Sequence, residues 1–162
     1  MGGLFEQLRW YRQRDSRGFF SNLRCYLVEN KRQRAWPALN RLNVAIGDDN
    51  SSFIAAWYAT YPEETKEGNL GTVCRLIGIK RGETQSRDDR LSPMERRFQQ
   101  LLASEKGGEL TNRITRIIFM AKSQNIPINY EQLQKDISYW NDRTKTAWAQ
   151  AFWTPDTKIS PN

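Results

Sequence analysis

The chain of 162 residues contains no histidine and only two cysteines. The absence of histidine removes the commonest general base, the commonest metal ligand and any histidine-dependent catalytic triad. Cys25 and Cys74 are too few and too far apart in sequence for a zinc site, so we expect two buried structural thiols. No Gly-rich phosphate loop, paired-carboxylate motif or metal-ligand cluster can be read either. The sequence therefore predicts a protein that is not an enzyme, with no metal site and no cofactor.

Long hydrophobic runs are also missing. No apolar run approaches the roughly 20 residues that a membrane-spanning helix needs. The first six residues lack the basic-then-apolar pattern of a signal peptide. With 38% hydrophobic residues, six Trp and seven Phe, the chain can nevertheless bury a real core. We therefore expect a soluble cytoplasmic protein without a membrane partner, built as one domain or two small lobes.

Helical periodicity recurs along the chain, whereas strand signals are weak. The sequence thus predicts an all-α fold, a helical bundle of about nine helices in two lobes. The clearest helix follows Ser92, which is a natural N-cap, with Pro93 at the first helical position. Glu95 lies three residues after Ser92 and completes a capping box.

Composition divides the predicted fold into segments. Residues 1–79 form an N-terminal helical lobe with a basic face, and residues 92–153 form a C-terminal helical lobe. Residues 80–91 show no apolar period and mixed charge, which predicts a mobile linker loop. Residues 154–162 contain two prolines and little apolar content, and we expect a frayed tail.

Basic charge is concentrated at the two ends of the chain. The total is +7, and residues 1–47 carry nine basic and three acidic side chains, a net charge of +6. Residues 48–91 carry −2 and residues 92–162 carry +3. A basic face suggests a polyanion as partner, and a merely soluble surface is the alternative.

Three cations recur every seven residues in the N-terminal segment: Arg17, Arg24 and Lys31. On one continuous helix this spacing places them near one face. At ~1.5 Å per residue, the row would be about 20 Å long. We interpret it as a candidate phosphate-binding face, with a solvated helix face as the alternative.

A second set of candidate nucleic-acid contacts lies in the C-terminal segment. Its members are arginines on predicted helices: Arg96, Arg97, Arg113, Arg116 and Arg143. Arg113 and Arg116 are three residues apart and therefore neighbours on a helix. Some of the set are expected to pair with nearby acidic residues instead.

The aromatic residues are mostly predicted to lie in the core. Trp57, Trp140, Trp148 and Phe152 fall on apolar helical stripes, which favours packing over base stacking. Trp10 and Phe19 stand among arginines and are the better candidates for stacking on bases.

Short motifs in a fixed order resemble the small subunit (CasB family) of the type I-E CRISPR Cascade complex. The close match covers residues 92–153, with Glu95-Arg96-Arg97-Phe98, Leu101-Leu102, Glu109-Leu110, Ile126-Pro127-Ile128-Asn129-Tyr130, Trp148-Ala149 and Phe152. Earlier anchors are Arg17-Gly18, Leu23-Arg24, Pro37-Ala38 and Asn69-Leu70-Gly71. Each motif is short, and it is their order and spacing that carry the resemblance.

The resemblance implies an all-helical, non-catalytic subunit of an RNA-guided surveillance complex in antiviral defence. Two copies would lie along its belly, beside the backbone subunits and the large subunit. Cationic faces would hold crRNA-paired target DNA and the displaced strand, while the guide RNA recognises sequence. The contacts implied by matching motifs are Arg17, Arg24, Arg96, Arg97, Arg113 and Arg116. Cys25 stands where the family pattern often has a second arginine.

Two other functions remain open. The first is a protein–protein adaptor of a ribonucleoprotein, whose basic faces dock acidic subunit surfaces without touching nucleic acid. The second is a free-standing nucleic-acid-binding regulator, although no convincing helix-turn-helix pair can be read.

Overall fold

The computed structural model describes residues 2–83 and 90–154. Within these residues the chain forms nine α-helices and no strand, so the predicted all-α fold of about nine helices is confirmed. The helices are α1 Leu4–Gln13, α2 Arg17–Arg24, α3 Trp36–Arg41, α4 Asp49–Thr60, α5 Leu70–Lys80, α6 Pro93–Leu102, α7 Gly108–Gln124, α8 Tyr130–Ser138 and α9 Asp142–Phe152.

The chain divides into two compact units, Met1–Glu63 and Glu64–Asn162. The predicted boundary at residues 80–91 differs from this division, in which helix α5 belongs to the second unit. Its buried face packs against α6, α7 and α9, and this packing outweighs the polar sequence that follows α5. Half of the predicted linker, residues 84–89, and most of the predicted tail, residues 155–162, lie outside the described residues.

Helix α2 is shorter than its seven-residue repeat of cations predicts. It ends at Arg24, and two 3-10 helices follow, Cys25–Leu27 and Glu29–Ala35, separated by Val28 in an extended conformation. A 3-10 helix has three residues per turn, so Tyr26 lies in line with buried Leu23 and is itself buried. The continuous helical face predicted for Arg17, Arg24 and Lys31 is therefore wrong, and with it the row of about 20 Å.

In the first unit, α4 forms the centre of the core. Nine consecutive side chains from Ser52 to Thr60 are buried, including Trp57, as the sequence predicted. The Asp48 side chain caps the helix by accepting a hydrogen bond from the Ser51 N–H. Helix α2 packs against α4 through its buried face.

In the second unit, α6 begins with the predicted capping box. The Ser92 side chain accepts from the Glu95 N–H, and the Glu95 carboxylate accepts from the Ser92 N–H. The other oxygen of Glu95 accepts a 2.9 Å hydrogen bond from Trp153 Nε1. Trp148 and Phe152 are buried as predicted.

The two thiols differ in exposure. Cys74 is fully buried, whereas Cys25 is only half-buried, so the expectation of two buried thiols is wrong for Cys25. The 3-10 helix that starts at Cys25 buries the neighbouring Tyr26 and leaves the Cys25 side chain at the surface of the unit.

Residues 2–83 and 90–154 contain no helix that is both long and apolar enough to cross a membrane. The same part of the chain holds no group of three His, Cys, Asp or Glu side chains placed to bind a metal ion.

Candidate nucleic-acid interface

Three arginines of the second unit, two from helices and one directly after a helix, line one surface pocket of about 290 Å³. Arg97 comes from α6, Arg116 comes from α7 and Arg81 follows the last residue of α5. The rest of the lining is apolar or neutral: Ile77, Met120, Ser123 and Gln124. We call this pocket the three-arginine pocket.

Helix packing explains why Arg97 and Arg116 meet. Both residues line the pocket, and one turn further along α6 the Gln100 carbonyl accepts a 2.8 Å hydrogen bond from Arg113. Residues 97 and 100 of α6 thus face 116 and 113 of α7, in the order of an antiparallel pair. Apolar residues on the buried faces, including Phe98 and Ile114, hold the two helices in this register.

The third arginine is held by the end of α5. The Lys80 ammonium donates a 2.9 Å hydrogen bond to the Gln124 carbonyl, which ties the end of α5 to the end of α7. Arg81 Nε lies 3.9 Å from Oε2 of Glu83, and the other oxygen of Glu83 accepts a hydrogen bond from the Met94 N–H. Glu83 therefore offsets part of one charge in the pocket while it caps the start of α6.

The other two guanidinium groups are not neutralised by any residue within 2–83 or 90–154. Neither Arg97 nor Arg116 makes an ion pair or hydrogen bond with any residue that the structure describes. Like charges gathered at one pocket raise the local positive potential, and an anion relieves it. Guanidinium groups present several N–H donors to a phosphate in a geometry that a single ammonium lacks. The pocket is thus suited to a phosphate group.

Arg113 has a different role from its neighbour Arg116. Its Nη1 donates to the Gln100 carbonyl at 2.8 Å, to Ser104 Oγ at 2.9 Å and to Glu109 at 3.3 Å. These contacts join the end of α6 to the start of α7. The predicted nucleic-acid contact at Arg113 is therefore engaged inside the unit, and the structure supports a structural role for this side chain.

Arg96 and Arg143 are both exposed and lie outside the lining of the three-arginine pocket. Arg96 is adjacent to Arg97 on α6 but points away from the pocket, and Arg143 is in the first turn of α9. The structure does not bring these two predicted contacts together with Arg97 and Arg116.

In the first unit, the three predicted cations have separate surroundings. Arg17 is 85% exposed, with Nε 3.4 Å from the Asp15 carboxylate. Arg24 donates a 3.1 Å hydrogen bond to the Ala59 carbonyl in the last turn of α4. Lys31 is exposed on the second 3-10 helix. Arg24 is therefore an exposed residue, but its guanidinium has a structural contact.

The two residues predicted to stack on bases differ in how much of their ring surface is exposed. Phe19 is stacked on Tyr11 with ring centroids 3.7 Å apart, so one face of its ring is already covered. Trp10 is 48% exposed on α1, with the Arg14 guanidinium 3.6 Å from the centroid of its ring. Of the two residues, Trp10 retains the exposed aromatic surface.

Arg81 was not predicted as a contact, because it lies in the segment whose sequence predicts a linker. A signal was present, since Arg81 follows Ile77 by four residues and so lies on the same helical face one turn later. Ile77 is buried and also lines the pocket. Extending the apolar period of α5 by one turn would have found this residue.

Two comparisons with known proteins agree with this architecture. Residues 22–153 match the model of the family described as CRISPR-associated protein Cse2. The fold is similar to the crystal structure of CasB from M. ruber, with a TM-score of 0.67 at 20% identity over 93% of this chain and 92% of that one. No curated protein sequence matches the chain. Because the family model covers most of the chain, this protein belongs to the Cse2 family of CRISPR-associated proteins, which confirms its resemblance to the Cascade small subunits.

Proposed function

We propose that this chain is a non-catalytic small subunit of a type I-E CRISPR surveillance complex and stabilises crRNA-paired target DNA and the displaced strand in antiviral defence. Family membership supports the place in a Cascade complex. The observation that carries the nucleic-acid contact is the three-arginine pocket, where Arg97 and Arg116 meet without an acidic partner among the described residues.

The proposed contact is made to phosphates and does not read bases. Guanidinium groups in a shallow pocket fix the path of a backbone, and sequence recognition belongs to the guide RNA. Exposed Arg96, Arg143, Arg17 and Lys31 add to the field outside the pocket and bring a strand to the surface. We assign the backbone subunits, the large subunit and a second copy of this chain as partners in the complex, which would act in the cytoplasm.

The test is a salt series of binding to duplex and single-stranded DNA by fluorescence anisotropy. Each phosphate contact contributes about 0.9 to the slope of log affinity against log salt on duplex DNA. The double variant Arg97→Ala with Arg116→Ala should therefore bind DNA more weakly. It should also reduce the magnitude of the slope by the amount that about two phosphate contacts contribute. The matched control is the double variant Arg96→Ala with Arg143→Ala, which removes the same charge, because both arginines are exposed and lie outside the pocket. An equal loss in the control would show that only total charge matters.

The adaptor function is favoured by a separate observation. Leu76 and Ile79 are exposed on one face of α5, and Phe119 is exposed on α7. Exposed large apolar side chains are typical of surfaces that meet another protein. If the double arginine variant leaves DNA binding unchanged but loses incorporation into the complex, the adaptor is the better description.

The copy number is tested on the assembled complex. Native mass measurement should find two copies of this chain, as the family resemblance implies. A single copy would contradict the proposed pairing, and failure to enter the complex would contradict the proposed function as a whole.

A further inference from the structure

The surface of α1 holds a second pocket, in the first unit, that the phosphate contacts do not explain. Its volume is about 410 Å³, which falls within the ~300–1,000 Å³ of small-ligand pockets. It is lined by Gly2, Glu6, Gln7, Trp10 and Tyr11. We propose that this pocket takes a single unstacked nucleobase, which stacks on Trp10.

The indole of Trp10 is restricted by neighbouring side chains but remains accessible to a base. The Arg14 guanidinium lies 3.6 Å from the centroid of the ring, and its Nη1 is 3.5 Å from the Trp10 carbonyl. Tyr11 meets the indole edge-on, with ring centroids 4.9 Å apart. These contacts restrict the side chain while it remains 48% exposed, so little conformational freedom is lost when a base stacks on it.

Arg14 contacts the indole but does not line the pocket. Side chains of a helix lean toward its N-terminus, which directs Trp10 toward Glu6 and Gln7 in the preceding turn. Arg14 comes from the following turn. A base in the pocket would therefore stack on an indole that already carries a cation, which combines base–aromatic stacking with a cation–π contact.

The polar groups of the pocket favour a base over a phosphate. Glu6 contributes a carboxylate, which repels phosphate but accepts hydrogen bonds from an exocyclic amino group such as that of cytosine. The Gln7 amide nitrogen donates to the Gly2 carbonyl at 3.0 Å, so it is already committed to the fold. The pocket should thus prefer cytosine to thymine.

This inference rests on the proposed function in one respect: the ligand is a nucleic-acid strand with unpaired bases. It adds a contact to bases, in a different unit from the three-arginine pocket. A displaced single strand offers such bases, whereas a continuous duplex does not.

Binding of the full-length chain to short single-stranded oligomers tests the proposal. The probes are oligo-dC, oligo-dT and an abasic oligomer of equal length, measured by fluorescence anisotropy at fixed salt. Trp10→Ala should weaken binding to oligo-dC by about 5- to 160-fold, the range expected for loss of one stacked base. Trp10→Ala should leave the affinity for the abasic oligomer unchanged. Trp10→Phe should restore part of the lost affinity for oligo-dC. Trp36→Ala is the matched control, because Trp36 is also in the first unit and is 46% exposed, yet lines no part of this pocket.

The outcomes separate this inference from the proposed function. If Trp10→Ala and Trp36→Ala bind oligo-dC equally well, or if the abasic oligomer suffers the same loss, no base stacks on Trp10 and the inference is wrong while phosphate binding stands. If the wild-type chain binds no oligomer even at low salt, the proposed function fails and this inference fails with it. A preference for oligo-dC over oligo-dT that disappears in Glu6→Gln supports the assigned role of the carboxylate.

Discussion

Gly71 of α5 lies directly against the backbone of Trp148 in α9. A Cβ atom added at Gly71 would stand 2.1 Å from the Trp148 carbonyl oxygen and 2.8 Å from its carbonyl carbon. The Asn69 side chain, which caps α5, also donates to the Ala147 carbonyl at 3.3 Å. The two helices are thus packed backbone to backbone at this point, which only glycine allows.

We expect Gly71→Ala to lower the free energy of unfolding by about 1–3 kcal/mol, as overpacking of a rigid site does. Gly78→Ala is the matched control on the same helix, since its Cβ would meet Met94 at an ordinary 3.6 Å. Because alanine is the better helix former, this control should gain about 0.5–1 kcal/mol. Urea unfolding measures both, and a stable Gly71→Ala would show that α9 can move away from α5.

Truncation of Arg113 should affect stability more than DNA affinity, and truncation of Arg116 should affect DNA affinity more than stability, although the two residues are one turn apart on α7. Arg113→Ala should lower the free energy of unfolding by about 1–3 kcal/mol, because the Gln100 carbonyl and the Glu109 carboxylate lose a charged donor. Arg116→Ala should change it by no more than about 0.5 kcal/mol, as is usual at the surface. DNA affinity should show the reverse order. If Arg116→Ala were the less stable variant, the assignment of these two roles would be wrong.

The two thiols should react at different rates with a maleimide or disulfide reagent. Cys25 is half-buried and accessible, whereas Cys74 is fully buried and burial raises the pKa of its thiol. Since the thiolate is the reactive form, we expect one fast equivalent at neutral pH and a second only on unfolding. Cys25→Ser should abolish the fast equivalent. Two fast equivalents would indicate that the second unit opens readily around Cys74.

Alkaline pH should destabilise the first unit through Tyr26. Burial, followed by the hydrogen bond to Asp49, raises the pKa of Tyr26 to about 12 from its ordinary value of 10. The folded state therefore holds the phenolic proton more tightly than the unfolded state. Its contribution to stability is complete below pH ~10 and is lost as the pH rises toward 12.

Urea unfolding between pH 8 and 11 measures this effect. Tyr26→Phe should be less stable at pH 8, because Asp49 loses its donor, but should show a shallower fall with rising pH. Tyr139→Phe, at a residue that is 70% exposed, should keep the full alkaline fall. An equally steep fall in Tyr26→Phe would assign the transition to other groups.

Most of the helices and the family could be predicted from the sequence, because both rest on short-range patterns. The capping box of Ser92 and Glu95 spans three residues, so its hydrogen bonds form wherever those residues begin a helix. The apolar periods that placed Trp57 and Trp148 in the core are equally local. The order of the motifs was sufficient for the family, which the match over residues 22–153 confirms.

Which cations remain available to bind an anion follows only from the tertiary structure. Arg113 and Arg116 look alike in sequence, and they differ because the end of α6 brings the Gln100 carbonyl to one of them. Arg81 joins the pocket because α5 packs in the second unit, and the row from Arg17 to Lys31 fails because burial of Tyr26 ends the helix. The deciding feature is a contact with a residue distant in sequence for Arg113 and Arg81, and a change of helix type for the row. Neither feature can be predicted from the charge pattern or the helical periodicity of the sequence.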